Sequence, residues 1–173
     1  MSKVCFQHCT PSEMDRDTFV STFGDIYEHS PWIAEQAYDQ GIDSSHNEIA
    51  VLQKKMASIL LNADKQAQLD LINAHPDLAG KAAVSGELTE ASTSEQAGAG
   101  ISDCTAIEFA RFTELNDAFK TKFGFPFIMA VKGSNRHLIL ASFEERIHHA
   151  PEQEFVRALQ EINKISQFRL AIL

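Results

Sequence analysis

Phe125-Pro126-Phe127-Ile128-Met129-Ala130-Val131 is the only stretch of this chain that could pass for a β-strand. A lone strand has no partner for its backbone N–H and C=O groups, so the run reads better as a buried extended connection, and the fold as all-α. Unpaired amides and carbonyls in such a connection would be open to a ligand. Gly124 and Pro126 break the helix that leads into it.

Outward from this run, nearly every segment carries helical start and stop signals. Just upstream, a helix over 105–123 places Phe109, Phe112, Leu115 and Phe119 on one apolar stripe. Downstream, 135–149 and 152–171 are amphipathic, with Pro151 at the turn between them. Near the N-terminus a helix over 16–23 stops at Gly24, and Ser30 with Pro31 reads as an N-cap and first-turn proline for a helix closed by Gly41. Ser45 and Glu48 form a capping-box pattern ahead of Ile49, Leu52, Met56, Ile59 and Leu60, which keep helical spacing. The next helix runs from about Asp64 to His75, where Pro76 disfavours its continuation. Residues 76–90 lapse into small residues and read as loop. Ser92 and Glu95 suggest another capping box, for a short helix stopped by Gly98-Ala99-Gly100. The expected architecture is a single domain over 1–173, a bundle of about seven to eight helices with no repeat and no linker.

Composition limits the function classes. At 173 residues the chain can bury a real core without disulfide or metal staples. No apolar run approaches the roughly 18 residues of a membrane span. Fifteen Lys and Arg against 24 Asp and Glu give a formal charge of −9, which repels nucleic acid and anionic membranes, so neither is expected as a partner. The start MSKVCFQHCTPSEMDRD lacks a secretory signal and the end FRLAIL lacks a peroxisomal tripeptide, so a cytoplasmic location is expected. Cys5, Cys9 and Cys104 are odd in number, which favours reduced thiols. Cys5, His8 and Cys9 could be drawn as metal ligands but have no evident fourth partner, and no metal is expected.

Three segments gather unusual residues away from the core stripes: His75 with Pro76, the group Ser92, Thr93, Ser94, Glu95 and Gln96, and the 125–131 run. His75 sits at a proline-fixed helix end, and an imidazole with an ordinary pKa of about 6.5 suits proton transfer near neutrality. The plainer reading is a histidine hydrogen-bonded at a helix terminus. Ser92, Glu95 and Gln96 are spaced to share one helical face, though the first two could simply cap their helix. The remaining histidines look like scattered surface residues, and His148-His149 fits a helix end favoured by the dipole. No HExxH, glycine-rich phosphate loop, GxSxG elbow or CxxC pair is present. Arg146 and Arg169 are the cations best placed to turn inward.

These blocks, in this order, resemble the 2-oxo-4-hydroxy-4-carboxy-5-ureidoimidazoline (OHCU) decarboxylases of urate breakdown. The resemblance rests on HPDLAGK at 75–81, SGELT at 85–89, STSEQAGAG at 92–100, Leu115-Asn116, KFGFPFIMAVKG at 122–133, EINKI at 161–165 and the RL pair at 169–170. It implies an all-helical enzyme, usually a homodimer, that turns OHCU into (S)-allantoin and carbon dioxide with no cofactor. It assigns catalysis to His75, Glu95 and Arg169. Substrate contacts fall on Pro76, on Ser92, Thr93, Ser94, Glu95 and Gln96, and on the backbone of Phe127, Ile128, Met129, Ala130 and Val131. Arg146 also aligns with a family arginine. The side chains of Phe127 and Ile128 are candidates for an apolar wall beside the substrate carboxylate. Ala74 stands where some members carry cysteine, and no catalytic role depends on it. The competing readings are a metal-dependent helical-bundle hydrolase using some of the seven histidines, and a helical interaction module without a cleft near His75.

Overall fold

A computed structural model describes residues 3–80 and 87–173. Lys81 of the first block and Ser85 and Gly86 of SGELT lie outside the described residues. Eight α-helices are present among those described: α1 (Arg16–Phe23), α2 (Trp32–Asp39), α3 (Ile49–Asn62), α4 (Lys65–Ala74), α5 (Glu90–Gly98), α6 (Ala106–Phe123), α7 (Arg136–Arg146) and α8 (Pro151–Leu170). Short 3₁₀ turns occupy Pro11–Glu13, Ser44–Asn47 and Ile101–Asp103. No strand occurs among the described residues, only an isolated antiparallel bridge of Cys5 to Glu48, so the all-α expectation holds. None of these helices is long and apolar enough to cross a membrane.

The helix boundaries follow from local chemistry. Asp15 accepts the Thr18 N–H and starts α1, and Thr105 with Glu108 closes a reciprocal capping box at the start of α6. Gly124 then takes φ +77°, a left-handed conformation that costs glycine little, and ends α6. Three expected caps are corrected. The Ser30 hydroxyl turns back to the Glu28 carbonyl, leaving Pro31 at the cap position of α2. Before α3 the reciprocal box is Asp43 with His46, on the 3₁₀ turn, and Glu48 caps α3 without a side-chain bond. At α5 the cap is Thr89, whose hydroxyl accepts the Ser92 N–H. Ser92 is therefore the third residue of the helix and Glu95 the sixth, and neither stands at the N-cap.

The chain forms two compact units. The first comprises 1–71 and 162–173, with α1 to α3, most of α4 and the last turns of α8. Its core holds Phe19, Phe23, Ile33, Leu52, Met56 and Leu60, all sealed from solvent. Phe19 and Phe23 meet at 4.7 Å between ring centroids. The second unit, 72–161, comprises α5 to α7 and the first turns of α8. It is organised around an aromatic cluster. Phe127 stacks on Phe143 at 3.7 Å and 17°, Phe119 meets Phe127 edge-on at 5.4 Å, and Phe112 reaches Phe143 at 6.2 Å. Full burial of each such ring contributes roughly 1.5–3 kcal/mol.

Candidate active site

The second unit holds His75, Glu95 and the 127–131 connection. At the end of α4 the His75 N–H closes a tight turn on the Ile72 carbonyl at 3.2 Å, and Pro76 ends the ladder. His75 is buried, 9% exposed. The chain that follows is held by side chains from two helices. Gln96 of α5 accepts the Ala79 N–H at 3.0 Å and donates to the Asp77 carbonyl at 3.4 Å. From α6, Asn116 donates to the Leu78 carbonyl at 2.8 Å and Lys120 pairs with the Asp77 carboxylate at 2.6 Å. Ala79 stands at φ +53° and is buried. A left-handed alanine costs roughly 1–2 kcal/mol, so the clamp holds a backbone shape that the sequence locally disfavours. The turn after the histidine is thus built, and its angle is set by Gln96 and Asn116 as much as by Pro76.

On α5, Ser92 and Gln96 are buried, Glu95 is half-buried, and Thr93 and Ser94 face solvent. The expected shared face of Ser92, Glu95 and Gln96 is present, while Thr93 and Ser94 are exposed beside it. Thr93 Oγ1 donates to the Thr89 carbonyl. The Gln96 amide makes one bond to the turn from each end and so holds residues 77–79, while its second N–H and second lone pair stay uncommitted by these two bonds. A cavity of about 520 Å³ adjoins this clamp, lined by Ala79, Thr93, Gln96, Ala97 and Phe109 among others; neither His75 nor Glu95 lines it.

The 125–131 connection is neither helix nor strand, and side chains replace the missing strand partner. Arg146 Nη1 donates to the Ile128 carbonyl at 2.8 Å. The Ala130 N–H donates to Glu161 Oε2 at 2.9 Å, and Val131 O accepts the Ser134 N–H. One backbone group each of Ile128, Ala130 and Val131, the Ile128 carbonyl, the Ala130 N–H and the Val131 carbonyl, is therefore taken by the protein and not left to a ligand. The apolar-wall expectation is corrected too. Phe127 lies in the aromatic cluster with the Arg146 guanidinium 4.3 Å from its ring centroid, and Ile128 is equally buried. What the connection can present is backbone, with Met129 and Ala130 half-buried.

Arg146 does turn inward, but its donors are committed. Nε and Nη2 fork onto Glu154 at 2.8–3.1 Å, and both residues are almost completely buried. Removing one partner of such a pair costs about 3–5 kcal/mol. His149 Nδ1 lies 2.8 Å from the same carboxylate, so this histidine has a specific partner beyond the helix dipole, and α7 has already ended at Arg146. Glu161 is paired with Arg157 at 2.9 Å. In the first unit, Arg169 is buried and its Nη1 donates to Glu28 Oε2 at 2.9 Å and the Ile26 carbonyl at 3.4 Å. Burial of Tyr27, whose hydroxyl donates to Asn163 at 2.9 Å, pushes its phenol up to about 12. The three cysteines are free thiols, with burial pushing Cys9 and Cys104 upward. Among the described residues no three His, Cys, Asp or Glu side chains gather as a cation site.

Sequence reading missed Asn116, Lys120, Glu154 and Glu161 as site-building residues. Asn116 and Glu161 stood inside the LN and EINKI blocks, which were signals of resemblance without a stated role.

The family model described as OHCU decarboxylase matches residues 12–171. A 2-oxo-4-hydroxy-4-carboxy-5-ureidoimidazoline decarboxylase of Haloferax volcanii is 40% identical over 160 residues, covering 92% of this chain and 91% of the relative. A crystal structure of (S)-allantoin synthase superposes with a TM-score of 0.72 at 32% identity, covering 92% of this chain and 51% of that one. A crystal structure of OHCU decarboxylase in the presence of (S)-allantoin gives 0.65 at 26% identity, covering 82% and 89%.

Proposed function

Because the chain belongs to the OHCU decarboxylase family, we propose that it converts OHCU to (S)-allantoin and carbon dioxide in urate degradation. The protein is a carboxy-lyase. The family match along almost the whole chain carries this reading, and it supports treating 1–173 as one functional domain. The chain works without a cofactor, as a homodimer, in the cytoplasm, and needs neither nucleic acid nor membrane. The formal charge of −9 supports the reading that neither nucleic acid nor an anionic membrane is a partner, and the absence of a glycine-rich phosphate loop supports the reading that no nucleotide is bound.

The substrate explains why no organic sink is needed. Its carboxyl-bearing carbon adjoins a ring carbon–nitrogen double bond. As the bond to the carboxylate breaks, its electron pair moves into the ring, the nitrogen of the former double bond takes a proton from water, and carbon dioxide leaves. The resulting enol becomes the product carbonyl when its hydroxyl loses a proton, and the ring carbon bearing the ureido group gains one. The protein has to orient the ring, accept one proton and supply the other to a single face.

In this mechanism His75, as neutral imidazole, accepts the proton of the 4-hydroxyl, and Pro76 fixes its approach. Glu95 holds the ring or ureido N–H groups and steers the imidazole. Its place inside α5 supports this, since it does not stand at the N-cap. Arg169 is assigned the charge that develops on the intermediate. Ser92 and the backbone of residues 127–131 orient the ring. Thr93 and Ser94 remain assigned through the resemblance only.

Freshly generated OHCU, followed by circular dichroism, tests the reading. Optically active allantoin should form faster than the spontaneous racemate, and His75→Asn should lower turnover about a hundredfold to ten-thousandfold with the helices intact. Glu95→Gln keeps shape and removes charge. Wild-type turnover in both variants would remove both residues from the mechanism.

A further inference from the structure

Two carboxylates on one face of α8, Glu154 and Glu161, are buried far from any core need for charge, 0% and 2% exposed. Each is joined by an arginine, and each assembly ends on the backbone of the same short connection. Arg146, forked on Glu154, donates to the Ile128 carbonyl. Glu161, paired with Arg157, accepts from the Ala130 N–H. Burying charge is costly unless it is paired, so the arrangement calls for a purpose that an apolar pair would not serve.

Covalent geometry supplies one. All peptide bonds here are trans. In a planar trans peptide the C=O of one residue and the N–H of the next point in opposite directions. Pinning the Ile128 carbonyl therefore aims the Met129 N–H away from Arg146. Pinning the Ala130 N–H aims the Met129 carbonyl away from Glu161. Among the described residues neither Met129 group makes a hydrogen bond, and Met129 is half-buried. One residue thus offers a donor and an acceptor, both fixed from behind. One turn of α6 links this pair to the histidine: Asn116 and Lys120 hold the turn after His75 while Phe119 packs on Phe127.

We propose that Glu161 and Arg146 are positioning residues that fix the Met129 N–H and C=O as a donor–acceptor pair for the adjacent N–H and C=O of a cyclic ureide, and so decide which face of the ring is protonated. This rests on the decarboxylase reading and extends it to stereochemistry. Neither residue touches the substrate.

The test is the optical purity of allantoin from fresh OHCU, corrected for the spontaneous rate. Wild-type protein should give one enantiomer. Glu161→Ala, with native far-UV circular dichroism, should lose about 10- to 100-fold in kcat/KM, the equivalent of one charge-assisted hydrogen bond, and give partly racemic product. Glu161→Gln, whose amide oxygen still accepts from Ala130, should restore optical purity. A merely destabilised enzyme makes less product of unchanged handedness, so folded Glu161→Ala with wild-type optical purity overturns the proposal. If that variant does not fold, Glu161→Asp, one methylene short of Ala130, is read the same way. Wild-type protein giving only the spontaneous racemate would instead bring down the decarboxylase reading, and this inference with it.

Discussion

Replacing Gln96 by leucine removes the clamp on the turn after His75 while keeping a side chain of similar bulk and helix propensity. Two bonds are lost, and they differ in weight. The Asp77 carbonyl was held at 3.4 Å at a half-buried residue, where water can take over at little cost. The Ala79 N–H was held at 3.0 Å at a residue 2% exposed, and orphaning a buried donor costs about 1–3 kcal/mol. Relaxation of Ala79 from φ +53° would return some of the roughly 1–2 kcal/mol of left-handed strain. The neighbouring Leu78 carbonyl, still tied to Asn116, opposes that relaxation. The net loss should be about 2 kcal/mol locally, which is about 30-fold faster amide exchange at Ala79, with the melting temperature down by at most about 4–8 °C. Hydrogen exchange resolved at Ala79, with urea unfolding alongside, measures both. Unchanged exchange at Ala79 in a folded Gln96→Leu protein would refute the clamp.

Tyr27 sets an alkaline limit. Its phenol is held up to about 12 against an ordinary 10.0, so below pH 10 both folded and unfolded chains keep the proton and the site is silent. Between pH 10 and 12 only the unfolded chain releases it, and stability should fall by roughly 3 kcal/mol across that window. Urea midpoints of wild type and Tyr27→Phe should diverge there, and parallel pH profiles would contradict this. Thr89→Ala should cost about 1 kcal/mol through loss of the α5 cap, read as a thermal shift of about 2–4 °C. Thr89→Ser should recover most of it; equal loss in both variants would show that the hydroxyl is not what matters.

Helices were legible where punctuation was unambiguous. Asp64, Thr105, Gly124 and Pro151 each bound an element close to where it was expected. Two of the three misread caps, at Ser45 and Ser92, share one cause. A Ser/Thr with a carboxylate three residues on marks a helix start only if nothing nearby caps better, and Thr89 and Asp43 stood two or three residues earlier in the chain. His75 was conspicuous because Pro76 isolates it. Its supports were not, since Gln96 reaches back 17 residues to Ala79, Asn116 38 to Leu78, and Glu161 31 to Ala130. Periodicity fixes which face of a helix is apolar, but not which polar residue meets which distant carbonyl. The same limit hid the fate of the FPFIMAV backbone. Its lack of a strand partner was correctly read, and its hydrogen bonds to Arg146 and Glu161 could not be.

That manner of holding residues 125–131 bears on how this protein tolerates change. In a sheet the neighbouring strand supplies its N–H and C=O groups whatever its side chains are, so pairing survives most point substitutions. Here the partners that side chains supply are one guanidinium and one carboxylate, and a single codon change can remove either. Arg146 with Glu154, and Glu161 with Arg157, should therefore drift together or not at all along a lineage, and any redesign of this loop must treat those four positions as part of it.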